Sequence, residues 1–423
     1  MLFYAIQILA SLFASYYYRN NRLRYFTVIT VAYFISFYFS GSFDIALTLY
    51  CILIIIGVGR SFSVRLTDFL FALWLLIYFI IGIVFQDSFS TISSFVTRYG
   101  FLFICLYINF VKTESFEWIA TESDFRFAVR IGLLTEFLII LLVWSSEGIG
   151  TRVVTNNQPI GAGMAIALIT IIGWCYLKKQ FTANETILYS ILCTLIVLLS
   201  GTRGYMVIVS LGMFAILCMY LLDIPGNGEK MCLRIGLFLI LISILLVWIL
   251  IIDHGESVVR LLRLDASLGY RENENIYVKG IMKIAPWYNQ LFGFGMAGTA
   301  NHIEGFLSIV QQASQNRDWM FRKLLNKTIY HNYWYTILFQ QGIIGLIIVF
   351  MFFINLMKRI ITLKTDSWFK FLLFMLILGN MISQAYRITA TCAVFELLII
   401  MFFIRMIESM DALGEKEKGC HLS

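Results

Sequence analysis

The sequence predicts an all-α fold, a polytopic transmembrane bundle of about 12–13 helices with one long loop that contains amphipathic helices. Of its 423 residues, 60% are hydrophobic and only 13% are charged, whereas about a quarter of the residues in a soluble domain are charged. Apolar runs long enough to cross a hydrocarbon core recur from one end of the chain to the other. A transmembrane barrel would instead show short segments of alternating polarity.

Each candidate span is an apolar run of suitable length, and the second and third are short. In chain order the runs cover residues 2–18, 25–41, 44–59, 68–86, 95–111, 129–146, 159–177, 184–200, 205–222, 235–252, 332–357, 368–386 and 390–407. They divide the chain into an N-terminal transmembrane bundle (1–252), a long outer loop (253–331), and C-terminal transmembrane helices with a cytoplasmic tail (332–423). Amphipathic helices in the loop, such as Ile276 to Trp287, are expected to lie over the bundle.

Positive charges set the expected orientation, because cytoplasmic loops carry an excess of lysine and arginine. A single orientation, with the N-terminus outside and the C-terminus inside, places every basic cluster on the cytoplasmic side, and one N-terminal span fewer would also fit. The clusters comprise Arg19, Arg22, Arg24, Arg60, Arg65, Lys112, Arg126, Arg130, Lys178, Lys179, Lys230, Arg234, Lys358, Arg359, Lys364, Lys416 and Lys418. This orientation puts segments 87–98, 147–158 and 201–204 on the outer side, together with the long loop and the short turn near Arg387.

Several function classes are disfavoured by the composition. The formal net charge of +7 does not suggest nucleic acid, because the basic residues lie in short clusters at helix ends. The eight cysteines lie mostly in apolar runs without CxxC spacing, so we predict neither a disulfide framework nor a cysteine metal site. There is no Walker loop or DxD motif, and His254, His302 and His331 are not spaced as ligand pairs. We therefore expect no metal and no cofactor, and a nucleotide-sugar enzyme on the cytoplasmic face is disfavoured.

Four arginines on the predicted outer side are the candidate anion-binding groups. Arg203 lies between Gly201 and Gly204 in a turn between two apolar spans, where a fixed guanidinium could hold a phosphate oxyanion with two hydrogen bonds. Arg98 and Arg387 have a simpler alternative as interfacial anchors. For Arg271 the alternative is a solvated charge.

His331 is the candidate proton acceptor, because histidine titrates near neutral pH and lies at the start of an apolar helix. The alternative is a polar residue at a helix start, with Asn332 as the cap. The neighbouring aromatic residues suit an interfacial belt or a platform for sugar rings.

His331-Asn332, nine further residues and Gly342-Ile343-Ile344-Gly345 resemble the H[NSQ]-x9-G-x-x-[GTY] signature of the O-antigen polymerase and O-antigen ligase superfamily. The loop before this motif is also similar to that of the family, with Arg271 ahead of an amphipathic stretch that ends in Pro286 and a Gly293-Phe294-Gly295 turn. The Ser200–Gly204 turn resembles a third family element, and the three occur in the family order. The first five spans carry no such signature.

The resemblance implies a metal-independent glycosyltransferase of the bacterial inner membrane. Its donor would be an undecaprenyl-diphosphate-linked oligosaccharide at the periplasmic face, and its partners would be the bilayer and, as a further candidate, a chain-length regulator. Arg203 and Arg271 would bind the donor diphosphate and stabilise charge on the leaving group. His331 would take the proton from the acceptor hydroxyl. Arg98, Arg387 and Asn332 are further substrate-binding candidates.

Two activities within the family remain open at this point. A polymerase extends glycan repeat units, whereas a ligase transfers the finished polymer to lipid A-core. We favour the polymerase, because the chain is rich in Ile, Phe and Tyr and departs freely from any consensus outside the three elements. A transporter of lipid-linked glycans would need charges near the bilayer midplane and repeat symmetry, which we do not find. An inert scaffold of an assembly complex is the remaining alternative.

Overall fold

Almost all of the residues that the structure describes are helical. The computed structural model describes residues 2–18, 20–40, 43–58, 65–111, 118–148, 154–155, 158–159, 163–200, 203–222, 264–315, 318–325, 327, 330, 332–384 and 391–420. Its helices are α1 Leu2–Tyr17, α2 Arg22–Ser40, α3 Phe43–Val58, α4 Leu66–Phe85, α5 Ser88–Phe110, α6 Glu122–Glu147, α7 Gly163–Leu177, α8 Ala183–Leu199, α9 Arg203–Leu222, α10 Leu264–Ile284, α11 Trp287–Phe292, α12 Phe306–Ser314, α13 Asp318–Leu325, α14 Tyr333–Thr362, α15 Ser367–Gln384 and α16 Thr391–Cys420.

The predicted all-α polytopic fold is confirmed. Every predicted span coincides with a helix except 235–252, which lies outside the described residues. The described residues also include a small antiparallel hairpin, β1 Val154–Thr155 with β2 Gln158–Pro159. The division of the chain at residues 252 and 331 stays a prediction.

Among the described helices, α4, α6 and α14 are long and apolar enough to cross a membrane. A fourth candidate is α5, whose segments Ser88–Gly100 and Leu102–Phe110 are bent by 62° relative to each other. Other apolar helices are shorter, and α7 shows how such a helix is accommodated. Every residue from Gly163 to Cys175 is buried. A helix that is apolar on all sides is stable when other helices surround it.

Charged residues at one side of the bundle hold neighbouring helices together. Arg24 of α2 pairs with Asp124 of α6 at 2.6 Å, and Arg126 of α6 pairs with Glu185 of α8. The start of α6 also contacts α16, through the stacked rings of Phe125 and Phe403. These contacts place Arg24 and Arg126, two of the basic residues that the sequence assigns to the cytoplasmic side, on the same side of the bundle. The other side carries α10–α13, and we call it the loop side.

The loop-side helices form a hydrophobic core of their own against the first turns of α14. This core consists of Tyr277, Val278, Ile281, Met282, Ala285, Phe294, Ala300, Ile303, Phe306, Val310, Ala313, Met320, Leu324, Tyr330 and Phe339. Helix α10 begins at Leu264 rather than at Ile276, so Arg271 lies within the helix and not ahead of it. The apolar pattern missed this half of α10 because its buried residues include the polar Asn273 and Glu274.

Candidate active site

The N-terminus of α14 is capped by Asn332, as the sequence predicts. Its side-chain Oδ1 accepts hydrogen bonds from the backbone N–H groups of Trp334 at 3.0 Å and Tyr335 at 3.4 Å. An asparagine cap satisfies donors that the first turn of a helix would leave unpaired. The cap fixes where α14 starts, directly after His331.

His331 itself lies outside the described residues, but its neighbour Tyr330 is held from several directions. The Tyr330 backbone N–H donates to Thr336 Oγ1 at 3.0 Å, and its phenol donates to the carbonyl of Lys327 at 2.8 Å. Its ring packs against Phe339 of α14 and Tyr277 of α10, with centroids 5.2 and 5.9 Å away. The backbone on both sides of His331 is thus anchored where the loop core meets α14.

Arg98 of α5 reaches the same place from the bundle. Its Nη2 donates to the carbonyl of Tyr330 at 2.9 Å. The side chain is only 3% exposed, so Arg98 is not an interfacial anchor. Its Nε and Nη1 atoms have no hydrogen-bond partner among the residues that the structure describes. A buried guanidinium with two unpaired nitrogens is costly unless a ligand completes its hydrogen bonds.

A buried ion pair lies beside Arg98. Glu274 of α10, which is 1% exposed, pairs with Lys327, and Glu274 is also close enough to Arg98 for the two charges to interact. Burial lowers the pKa of Lys327 below its usual value, and the Glu274 carboxylate opposes that shift. Sequence reasoning missed this pair, since no local pattern links residues so far apart.

The other predicted site residues are described only in part or not at all. Arg203 is the first residue of α9 rather than the middle of a turn, and Arg271 lies one turn before Glu274 in α10. Arg387 lies outside the described residues. The structure thus brings Arg98 to the residues flanking His331 and gives the backbone positions of Arg203 and Arg271.

The glycines of the histidine motif and of the loop turn contact each other. Gly342 breaks α14 with a φ of +66°, and a Cβ there would lie 2.3 Å from the carbonyl oxygen of Leu291. Gly293, with a φ of +76°, fits equally closely against the backbone of Gln340. Only glycine allows both the left-handed backbone and this approach.

Hydrogen bonds complete the contact between the turn and the broken helix. The N–H groups of Phe294 and Gly295 donate to the carbonyls of Phe339 at 2.8 Å and Gln340 at 2.9 Å. A helix break leaves carbonyls that need such partners, above all in a membrane. The two glycine elements that the sequence shows separately are therefore one structural unit.

Side-chain amides within α14 and at the end of α4 extend this unit into the bundle, and sequence reasoning passed over them. Gln340 Nε2 donates to Ser94 Oγ at 2.7 Å and to the Met296 carbonyl at 2.8 Å. Gln86 Nε2 donates to the Phe294 carbonyl at 2.8 Å. The available signal was the polar pair Gln340-Gln341 in an otherwise apolar run, since such residues in a span must find partners.

Part of the chain matches a known protein family. No curated protein and no solved structure matches the chain. Residues 188–350 match the family described as O-antigen ligase, a range that contains Arg203, Arg271, His331 and Gly342 but not Arg98. In the described part of the chain, no three His, Cys, Asp or Glu side chains form a group that could hold a metal ion. The family resemblance is confirmed, and the chain contains an O-antigen ligase (Wzy_C) family domain at residues 188–350.

Proposed function

We propose that this protein is an inner-membrane glycosyltransferase that polymerises undecaprenyl-diphosphate-linked glycan repeat units at the periplasmic face, without a metal. The observation that carries the proposal is the hydrogen bond from Arg98, which lies outside the family domain, to the carbonyl of Tyr330, the residue before His331 inside that domain. The loop side would face the periplasm, because the basic residues on the opposite side of the bundle agree with a cytoplasmic location for that side. The lipid tail would remain in the bilayer while its head group reacts.

In the proposed reaction, an acceptor hydroxyl attacks the anomeric carbon of the donor while His331 takes the hydroxyl proton. The bond between that carbon and the diphosphate oxygen breaks, and undecaprenyl diphosphate leaves with the electron pair. The attack comes from the opposite face, so the configuration inverts. Arg203 and Arg271 would hold the diphosphate and stabilise its developing charge. Arg203 begins α9, so the positive end of that helix dipole would add to the attraction.

Arg98, Arg387 and Asn332 are the further substrate-binding candidates in this proposal. The unpaired Nε and Nη1 of Arg98 could donate to sugar or phosphate oxygens. The Oδ1 of Asn332 is used in the cap, so its amide nitrogen is the group that could face substrate. Arg387 enters on its position in the sequence alone.

The second candidate activity is that of a ligase, which the description of the matched family as O-antigen ligase favours. Both activities use the same donor and differ in the acceptor, a second lipid-linked glycan for the polymerase and lipid A-core for the ligase. Complementation separates them. A polymerase-deficient strain makes lipopolysaccharide with single repeat units, and a ligase-deficient strain makes lipopolysaccharide with none. Restoration of long chains in the first strain would support the polymerase, and restoration only in the second would support the ligase.

The enzyme itself is tested with purified protein and lipid-linked donor, with no other component. His331→Ala and Arg203→Ala should abolish product, while Lys283→Ala, at an exposed position in α10, should retain it. Arg271→Lys should also lose most activity, because lysine keeps the charge but not the two-pronged geometry. Normal polymer from His331→Ala at equal protein level would refute the proposed base. No product from the wild-type protein, even after lipid A-core is added as the acceptor that a ligase needs, would point to the transporter or the scaffold instead.

A further inference from the structure

The short segment that leads into His331 is held at its two ends by charged side chains from different parts of the fold. At one end, the side chain of Lys327 pairs with Glu274 of α10. At the other end, the carbonyl of Tyr330 accepts from Arg98 of α5. The phenol of Tyr330 closes the segment on itself through its bond to the Lys327 carbonyl. The backbone entering His331 is therefore tied to α10 and α5 at once.

The ion pair is not explained by stability. Removing two charges from water costs several kcal/mol per ion, and an apolar pair of similar size is often at least as stable. The loop core already holds α10 against α14 through Tyr277, Phe339 and their neighbours. A charge pair adds something that apolar packing does not, since it accepts only one register between its partners.

Glu274 lies one turn after Arg271 in α10, and Lys327 lies four residues before His331. We propose that the Glu274–Lys327 ion pair is a positioning device, which sets the register of the His331 segment against the helix that carries Arg271. This inference rests on the proposed function and names residues that act through others, since neither Glu274 nor Lys327 is required to touch the substrate. It predicts that the pair controls the rate of transfer more than donor binding.

The test is a charge exchange in the purified, full-length protein. Glu274→Lys and Lys327→Glu should each lower kcat by about 10- to 100-fold, the cost of displacing a reacting group by about 1 Å. The KM for the lipid-linked donor should change much less. The double variant E274K/K327E restores the pair with reversed polarity and should recover most of kcat. Glu272→Gln is the matched control, because Glu272 lies in the same helix and is exposed.

The outcomes separate the positioning role from other roles. A double variant as inactive as the worse single variant would overturn the proposal, because the charges would then be needed at their own positions. Single variants as active as Glu272→Gln would overturn it as well. If a single reversal does not assemble, Glu274→Asp and Lys327→Arg keep the pair and should lower kcat only partly. If His331→Ala is active, the proposed function is wrong. If His331→Ala is inactive but Glu274→Gln has normal activity, only the positioning role is wrong.

A chemical readout does not depend on activity. The Glu274 carboxylate opposes the lowering of the Lys327 pKa, while Lys323 and Arg98 add to that lowering. Glu274→Gln should therefore lower the Lys327 pKa further, and the amine should react faster with acetic anhydride at a fixed pH. Peptide mass spectrometry would follow Lys327 with the exposed Lys323 as internal reference. An unchanged labelling rate would show that the pair is not formed in the membrane-embedded protein.

Discussion

Two buried arginine sites lie against α5, one on the loop side and one at the helix end away from the loop, and the two sites differ in completeness. At the end away from the loop, every guanidinium nitrogen of Arg359 and Arg405 donates a hydrogen bond. Their acceptors are Glu408, Asn109 and backbone carbonyls at the end of α5. At the loop end, Arg98 uses only Nη2 within the described residues.

This difference separates a structural site from a candidate active site better than burial or charge does. Both sites are buried and both contain arginine. A complete set of hydrogen bonds leaves nothing for a ligand, and it satisfies the carbonyls that the last turn of α5 exposes. An incomplete set is a cost to the folded protein, which is expected where function requires it.

The largest expected effect on stability is at the complete site. Arg405→Ala should lower the free energy of unfolding by about 3–5 kcal/mol, because it leaves buried carbonyls of α5 and part of Glu408 unpaired. Thermal unfolding in detergent measures the loss, and the folded fraction should keep normal specific activity. A fall in specific activity without loss of stability would break the comparison.

Arg98→Ala should have the opposite profile. We expect transfer to slow by about 100-fold or more, as when one preorganised donor is removed from an active site. The unfolding free energy should fall by only about 1–3 kcal/mol, because the buried Tyr330 carbonyl loses one of its two donors and keeps Thr336 Oγ1. The transfer rate of Arg98→Lys should lie between those of the wild type and Arg98→Ala, since lysine keeps the charge but cannot place three nitrogens in a plane. A rate loss no greater than the loss of folded protein would make Arg98 a structural arginine like Arg405.

The smallest effect concerns the cap. Asn332→Ala should cost about 1 kcal/mol of stability, and Asn332→Ser should restore it because serine also caps helices well. Activity measured on both variants sharpens the comparison, since a purely structural Asn332 would make activity follow stability. Persistent inactivity of the serine variant would instead assign the amide nitrogen to the substrate.

The sequence predicted what depends on local patterns. Apolar runs gave the helices, Asn332 gave the start of α14, and Pro286 marked the end of α10 because proline cannot continue a helix. The glycines of the histidine motif and the loop turn were recognised as family elements, although nothing local shows that they touch. Contacts between distant segments carry no such pattern.

The site was predicted less completely for the same reason. Arg98 is buried because the loop core covers the start of α14. The sequence of α5 does not predict this burial. The Glu274–Lys327 pair and the amide of Gln340 also depend on the tertiary fold. In a water-facing protein such side chains pass for surface residues. In an apolar chain, each polar residue within a helix needs a hydrogen-bond partner, and that partner should be looked for.

The break at Gly342 has a consequence for building hybrid proteins. Before the break, α14 contributes Phe339 to the loop core and Tyr333 and Ile337 to the core of the bundle. Beyond the break, Val349, Phe353 and Leu356 belong to the core of the bundle. The first turns of α14 therefore pack against the loop and the bundle at once, although they lie within a predicted span. A hybrid that exchanges acceptor or donor preference between two members of the family should be joined at this glycine. The loop then keeps the residues of α14 against which it packs.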